Sequence, residues 1–279
     1  EVTACRSERA FRRRMSLKAT ILGCGTSGGV PRIGNEWGAC DPANPKNRRR
    51  RCALLVEREG EKGATRVLVD TPPDLREQLN DADVGLLDGV LYTQDHADHV
   101  HGIDDLRMVA YNGRRRVDVY YLKEIGDVLR QRFDYCFESP QGSEYPPVLI
   151  GHDILPGQRL VIDGPGGAIE AIPFLQKHGS IDSLGYRFGG LAYSPDVSDC
   201  PEESWATLEG LDVWILDALR YTGHPSHLTV DQALSWVGRM QPKRAIFTHM
   251  HVDLDYETLQ GQLPDGVEPA YDGMAIAAI

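Results

Sequence analysis

The most restrictive feature of this sequence is a set of short apolar segments that lack a polar face and end in an acid or a histidine. Val67-Leu-Val-Asp70 and Ala245-Ile-Phe-Thr-His249 show the pattern. Because side chains alternate along a strand, such segments predict inner strands that are covered on both faces, with the polar residue at the strand end. Together with β-branched runs, they predict strands at 18–22, 53–57, 66–70, 89–93, 117–121, 159–162, 168–174, 183–188, 190–194, 212–218, 244–248 and 274–277.

Helical patterns alternate with these strands. The clearest begins at Thr229, where Gln232 completes a capping box ahead of an apolar stripe, and it ends before Pro242. Further helices are predicted at 73–79, 102–111, 124–133, 202–208 and 255–263, and the Gly- and Pro-rich stretch 137–157 is predicted to be a long ordered loop or insertion. The alternation predicts an α/β protein.

Composition excludes several classes of protein. A chain of 279 residues that is 41% hydrophobic and 25% charged predicts a single globular domain, here placed at 15–279. The most apolar stretch, 211–217, is interrupted by acids, so no membrane span is expected. Lys+Arg 30 against Asp+Glu 41 gives a net charge of −11, so no stable complex with nucleic acid is expected.

The cysteines and the first residues bear on compartment and boundaries. Six cysteines are scattered without a CxxC pair, which favours reduced thiols and a cytoplasmic location. Residues 1–14 carry five Arg and no apolar signal region, and the first Met is Met15. We expect 1–14 to be a disordered basic tail or translated sequence upstream of a start at Met15.

Directly after the predicted strand 89–93, the sequence concentrates residues that bind metals. His96, Asp98, His99 and His101 fall within six residues. Imidazoles and carboxylates at this density favour a site for two divalent cations with nitrogen and oxygen ligands. The alternative is a solvated loop that binds no metal. We disfavour it because, without a metal, a buried cluster of these residues would leave charges unpaired.

This segment resembles the H-x-H-x-D-H motif of the metallo-β-lactamase superfamily. Three later residues match the remaining motifs in the same order: His178, Asp196 in Ser-Pro-Asp, and His249. The resemblance implies a four-layer αβ/βα sandwich with the metal site at one end, between two mixed sheets.

Other segments resemble the phosphoribosyl cyclic phosphodiesterase branch of that superfamily. They are Gly23-Cys-Gly-Thr-Ser-Gly-Gly-Val-Pro31, the arginine run before Cys52, and His224-Pro-Ser-His227. The resemblance implies hydrolysis of a small cyclic phosphate or nucleotide-like phosphodiester by a metal-bound hydroxide. It gives His227 the role of general acid or phosphate ligand, with His224 as its helper, and homodimers are common among relatives.

The same resemblance implies a ligand set for two ions, manganese or zinc. One ion is expected on His96, His178 and Asp196, with Gln94 as a further ligand. The other is expected on Asp98, His99, His249 and the shared Asp196, and Asp98 is also counted as catalytic.

The sequence departs from the family pattern at two places. Gln94 occupies the first histidine position, and a neutral amide oxygen is a poorer zinc ligand than imidazole. Asp95 is an alternative ligand, although strand alternation points it away from His96. Asn35 and Trp37 stand where relatives place cysteines of a structural zinc site, so no structural zinc is expected there.

The sequence leaves several functions open. Within the superfamily, the alternatives are a tRNA 3′-processing nuclease, which the acidic composition disfavours, and a protein of quinone-cofactor biosynthesis. From another class, the alternative is a non-catalytic nucleotide-binding protein whose metal site Gln94 has degraded. Lys46 and Arg48–Arg51 form either a phosphate-binding run or a solvated face.

Overall fold

The structure is a computed structural model that describes residues 17–139 and 141–277. The predicted basic tail, 1–14, lies outside the described residues.

The described residues form two seven-stranded mixed sheets. The first has the order β14-β1-β2-β3-β4-β5-β6 and the second the order β13-β12-β11-β10-β9-β8-β7. The first contains β1 Leu17–Gly23, β2 Ala53–Gly60, β3 Gly63–Val69, β4 Gly89–Leu91, β5 Val117–Tyr121, β6 Leu149–Asp153 and β14 Met274–Ala277. The second contains β7 Leu160–Ile162, β8 Ile169–His178, β9 Ile181–Phe188, β10 Leu191–Ser194, β11 Val213–Asp217, β12 Arg244–Thr248 and β13 Val267–Pro269.

Each sheet is antiparallel on one side and parallel on the other. Strands β14 to β3 and β7 to β10 pair antiparallel. Strands β3 to β6 and β10 to β13 pair parallel. The helices that flank the sheets are α1 Leu75–Asp81, α2 Ala97–Val100, α3 Leu106–Gly113, α4 Lys123–Arg132, α5 Asp134–Phe137, α6 Glu202–Trp205, α7 Val230–Met240 and α8 Tyr256–Gln262.

The two sheets pack face to face around one continuous apolar core. Polar bonds also join them: Tyr186 Oη donates to the carbonyl of Tyr92 at 2.7 Å, and the Leu184 amide donates to the carbonyl of Thr93 at 2.8 Å. Every residue of β11 is buried, as its lack of a polar face predicts. The αβ/βα sandwich implied by the sequence is therefore confirmed.

Two strands were not predicted from the sequence. The stretch 137–157 is not a continuous loop, because β6 lies within it and pairs with β5. Both β6 and β13 are edge strands, and an edge strand needs neither two apolar faces nor a full set of backbone donors. This explains why β6 contains a glycine and β13 ends in Pro269.

The capping box of α7 provides a test of local stability. Thr229 Oγ1 accepts from the Gln232 amide at 3.1 Å, and Gln232 Oε1 accepts from the Thr229 amide at 2.9 Å. We expect Thr229→Ala to lower the free energy of unfolding by about 1 kcal/mol in urea denaturation, because the helix loses a capped amide. Thr229→Ser keeps the hydroxyl and should unfold like the parent. Equal stability of all three proteins would show that the cap contributes nothing.

Candidate metal centre

The polar residues predicted at strand ends meet at one edge of the two sheets. In the first sheet, β4 leads through Gln94 into α2, which carries Asp98 and His99. In the second sheet, His178 ends β8, Asp196 lies two residues after the end of β10, and His249 directly follows β12. The carboxyl ends of neighbouring parallel strands share an edge, so segments far apart in sequence converge there.

Four of these residues form what we call the buried group: Asp98, His99, Asp196 and His249. One ligand atom from each lies within 4.8 Å of the others. The Nε2 atom of His99 is 3.2 Å from Asp196 Oδ1 and 3.6 Å from Asp98 Oδ2. The Nε2 atom of His249 is 3.3 Å and 3.8 Å from the same two oxygens. Two imidazoles thus face two carboxylates around one point.

Three residues form the open group: His96, His178 and the shared Asp196. His178 Nδ1 donates to the carbonyl of Ser226 at 2.8 Å, which leaves its Nε2 3.7 Å from Asp196 Oδ2. His96 is exposed, whereas His178 and Asp196 are buried. The open group therefore borders solvent on one side.

Gln94 lies beside the open group and is fully buried. Its Nε2 donates to Asp196 Oδ2 at 2.8 Å. Its Oε1 is also buried and has no hydrogen-bond partner. The side chain thus supports the shared carboxylate and keeps one free oxygen.

Unpartnered buried atoms test whether these residues fit metal ions. His99 Nε2, Asp196 Oδ1, His249 Nε2 and Gln94 Oε1 are all buried without a hydrogen-bond partner. Each such atom costs about 1–3 kcal/mol unless something else satisfies it. Imidazole nitrogens with carboxylate and amide oxygens are ligands for zinc or manganese. The residues present therefore fit a pair of divalent ions that share Asp196.

Asp70, just after β3, orients His99 from behind. Its Oδ2 accepts from His99 Nδ1 at 2.7 Å and from Thr93 Oγ1 at 2.8 Å, and its Oδ1 accepts from the Thr93 amide at 2.8 Å. A carboxylate on Nδ1 fixes the ring and leaves Nε2 to face the buried group.

The electrostatics of the buried group favour a bound cation. Burial alone lowers the pKa of His99, but the carboxylates of Asp196, Asp98 and Asp70 outweigh it and raise that pKa well above its usual value. Burial raises the pKa of Asp196, but His249 and His99 outweigh it and hold that pKa well below its usual value. The field that draws a proton to His99 equally attracts a metal ion.

Three residues of the centre have backbone conformations that residues other than glycine rarely adopt. Asp70, Asp196 and His249 have φ values of 65°, 47° and 57°. Such left-handed residues cost free energy and concentrate at functional sites, where the surrounding structure holds them. Here each one turns the chain sharply at the end of a strand.

The predicted pair His224 and His227 lies beside the buried group. His227 Nδ1 contacts Asp217 Oδ2 at 2.6 Å, and the ring stacks on His249 with centroids 4.5 Å apart. Burial lowers the pKa of His227, but Asp217 outweighs it and raises that pKa to about 9. The ring of His224 lies 5.1 Å from that of His227, and its Nδ1 accepts from the Ser226 hydroxyl at 3.2 Å.

Other candidates from the motif lie outside the two groups. Asp95 forms an ion pair with Arg132 at 3.1 Å. His101 is exposed and packs edge-to-face on Phe133, with centroids 5.9 Å apart.

Most of the arginine run is engaged with neighbouring loops, whereas Arg48 is exposed and lies 5.3 Å from the centre of the Trp37 ring. Arg49 is buried and donates to the carbonyl of Leu254 at 2.6 Å. Arg50 pairs with Asp272 at 3.1 Å. Arg51 pairs with Asp74 at 3.1 Å. Arg49, Arg50 and Arg51 therefore hold neighbouring loops together.

Sequence reasoning assigned no role to Asp70 and Asp217, the carboxylates behind His99 and His227. Both stand at the end of apolar strands, in Val-Leu-Val-Asp70 and Ile-Leu-Asp217. That position was the available sign, but the histidine partners lie 29 and 10 residues away in the chain.

The family of the chain follows from its similarity to known proteins. The sequence profile described as the beta-lactamase superfamily domain matches residues 65–250, which is more than half of the chain. The chain therefore belongs to the metallo-β-lactamase superfamily, as its motifs predict.

Two solved structures are similar to this chain. A crystal structure described as a new diphosphatase from the PhnP family is 35% identical with a TM-score of 0.84, and the match covers 95% of this chain and 99% of that one. Zinc-bound PqqB from Methylobacterium extorquens is 18% identical, with a TM-score of 0.71 over 93% of this chain and 99% of that one, and shares the fold.

A curated relative, the octanoyltransferase of Porphyromonas gingivalis (strain ATCC BAA-308 / W83), is 32% identical over 263 residues. The match covers 92% of this chain and 51% of that protein, so the chain spans about half its length. Among the residues that the structure describes, no helix has the length and apolar character needed to cross a membrane.

Asp70→Asn tests the orientation of His99. Asparagine keeps the shape but cannot accept at both oxygen positions, so we expect metal affinity to fall by about 10–100-fold. Isothermal titration with Mn²⁺ measures this affinity. The matched control is Asp118→Asn, because Asp118 forms a similar 2.7 Å pair with His152 outside the two groups. If the two variants bind Mn²⁺ equally well, Asp70 has no part in the centre.

Proposed function

We propose that this chain is a metal-dependent phosphodiesterase that hydrolyses a small cyclic phosphate or nucleotide-like phosphodiester. The observation that carries the proposal is that two ligand groups share Asp196. Beside them, His227 contacts Asp217 and stacks on His249. Two divalent ions can activate water and neutralise phosphoryl charge, and an adjacent proton donor can protonate the leaving group. The similarity to a PhnP-family diphosphatase supports chemistry at phosphorus.

Each ligand group has a role in this mechanism. The buried group would hold one ion, and the open group with Gln94 would hold the other. Divalent ions in such sites lower the pKa of water and neutralise charge on a phosphoryl group. The ligands are nitrogen and oxygen atoms only, a set that suits manganese or zinc.

His227 serves the leaving group in this mechanism, with His224 as its neighbour. The bond from Nδ1 to Asp217 fixes the ring and favours its protonated form. Nε2, on the opposite side of the ring, is then the atom that gives a proton to the departing sugar oxygen.

Small substrates fit the chain better than long nucleic acids. A net charge of −11 repels a polyanion, and the arginines that offset it near Cys52 are engaged with other loops. These observations disfavour a tRNA 3′-processing nuclease. A non-catalytic nucleotide-binding protein or a protein of quinone-cofactor biosynthesis would hydrolyse no phosphodiester.

A diphosphate is the second candidate substrate class, because the relative with 35% identity is described as a diphosphatase. A phosphate leaving group needs little protonation, so this reaction would depend less on His227. Octanoyl transfer is a third activity to assay, although the chain spans only about half of the relative that has this name.

A substrate panel tests the proposal directly. It contains ribose and nucleoside cyclic phosphates, nucleoside diphosphates, bis(p-nitrophenyl) phosphate and p-nitrophenyl octanoate, each assayed with Mn²⁺ and with Zn²⁺. We expect metal-dependent hydrolysis of the phosphodiesters. Turnover of the octanoate alone, or of no phosphorus ester, would overturn the proposal.

Asp196→Ala tests the two-metal assignment. The variant should lose both its bound metal and its hydrolysis, since one carboxylate serves both groups. Asp182→Ala is the control, because Asp182 pairs with Lys177 on the neighbouring hairpin and lies outside the groups. Full hydrolysis by Asp196→Ala would exclude a shared bridging ligand.

His227→Ala tests the proton donor. We expect kcat to fall by about 10²–10⁴-fold on a ribose cyclic phosphate and much less on a p-nitrophenyl ester, whose leaving group needs little protonation. Metal content should stay unchanged. Equal losses on both substrates would indicate phosphate binding, and loss of metal would make His227 a ligand instead.

A further inference from the structure

We infer that the two metal sites are unequal: the buried group keeps its ion, whereas the open group takes a second ion weakly and mainly together with a phosphoryl ligand. Gln94 is the residue that sets this difference. The inference rests on the proposed function in naming phosphate as the ligand, but its metal-binding part stands on the ligand geometry alone.

The two groups differ in burial and in their number of histidine and aspartate ligands. The buried group has four members, of which His99, Asp196 and His249 are at most 2% exposed. The open group has three members, one of which, His96, is exposed. Ordering an exposed side chain costs conformational entropy on metal binding, and a buried, preformed ligand set avoids most of that cost.

The shared carboxylate is directed more strongly toward the buried group. Asp196 Oδ1 lies 3.2 Å and 3.3 Å from the two buried imidazole nitrogens. Asp196 Oδ2 lies 3.7 Å from His178 and already accepts a hydrogen bond from Gln94 at 2.8 Å. The Gln94 donor therefore competes with a cation for Oδ2, whereas Oδ1 has no hydrogen-bond partner.

Gln94 also limits what the open group can supply. Its only free ligand atom is Oε1, a neutral oxygen that is buried without a partner. Amide oxygens suit hard ions such as Mn²⁺ and bind more weakly than imidazole does. Because the amide is already fixed by Asp196, this oxygen is preorganised but uncharged.

The ligands that the open group lacks must come from solvent or substrate. Hard divalent ions are often bound through one or two protein carboxylates and completed by substrate phosphate oxygens. A phosphoryl compound would therefore raise the affinity of the open group for its ion, and the ion would raise the affinity for the compound by the same factor. The substrate class is a phosphate ester that completes the coordination of the second ion.

Titration with Mn²⁺ tests the inference, because the electron paramagnetic resonance of free Mn²⁺ counts bound ions without any assay of activity. We expect the parent chain to bind one Mn²⁺ tightly and a second at least about tenfold more weakly. Inorganic phosphate should tighten only the second ion. Two equally tight ions without phosphate, or no effect of phosphate on the second, would overturn the inference.

Variants of Gln94 assign the difference to one residue. Gln94→His should bind two ions tightly without phosphate, since imidazole replaces the amide. Gln94→Met keeps the bulk but removes both the donor to Asp196 and the free amide oxygen, so it should keep the first ion and lose the second even with phosphate. Gln262→His, at an exposed position at the end of helix α8, controls for unspecific binding by an added imidazole. Unchanged second-ion binding in both Gln94 variants would show that Gln94 does not determine it.

The inference and the proposed function can be contradicted independently of each other. An unequal pair of metal sites in a protein that hydrolyses no phosphodiester would overturn the function and leave the asymmetry standing. Two equal sites in an active phosphodiesterase would do the reverse.

Discussion

Asp196 is a buried carboxylate that faces two buried imidazoles without a normal hydrogen bond to either, and the rest of the centre depends on this arrangement. Its Oδ1 and the Nε2 atoms of His99 and His249 have no hydrogen-bond partners. A fold tolerates such a concentration of unsatisfied polar atoms only where another species satisfies them. A shared pair of divalent cations is the species that matches the charge and the ligand types.

The two sheets hold these side chains in place. Parallel strands bring the ends of β3, β4, β10, β11 and β12 to one edge, and each end contributes a carboxylate, amide or imidazole. Asp70 and Asp217 then fix the rings of His99 and His227 from behind. Left-handed backbone at Asp70, Asp196 and His249 shows that local conformational preference is sacrificed to this geometry.

The sequence predicts the parts of the structure that depend on short-range pattern. The strands without a polar face follow from side-chain alternation, and the cluster of His96, Asp98 and His99 lies within four residues of the sequence. The sequence does not predict the edge strands β6 and β13, whose one-sided packing leaves a weaker pattern. The burial of Arg49 and the bond from Gln94 to Asp196 could not be predicted, because the partners Leu254 and Asp196 lie 205 and 102 residues further along the chain.

The departure from the family pattern at Gln94 is informative for the same reason. As a sequence feature it suggests a damaged site. As a structural feature it is a buried amide that supports the shared carboxylate and presents one free oxygen. A weakly held second ion would link metal binding to substrate binding in this chain.

The most direct test of the central claim is the rate of bis(p-nitrophenyl) phosphate hydrolysis by chelator-stripped protein to which Mn²⁺ is returned in steps. The account predicts no hydrolysis by the stripped protein and recovery of activity as the ions bind. Hydrolysis that persists at its full rate in protein shown by elemental analysis to be free of metal would contradict it.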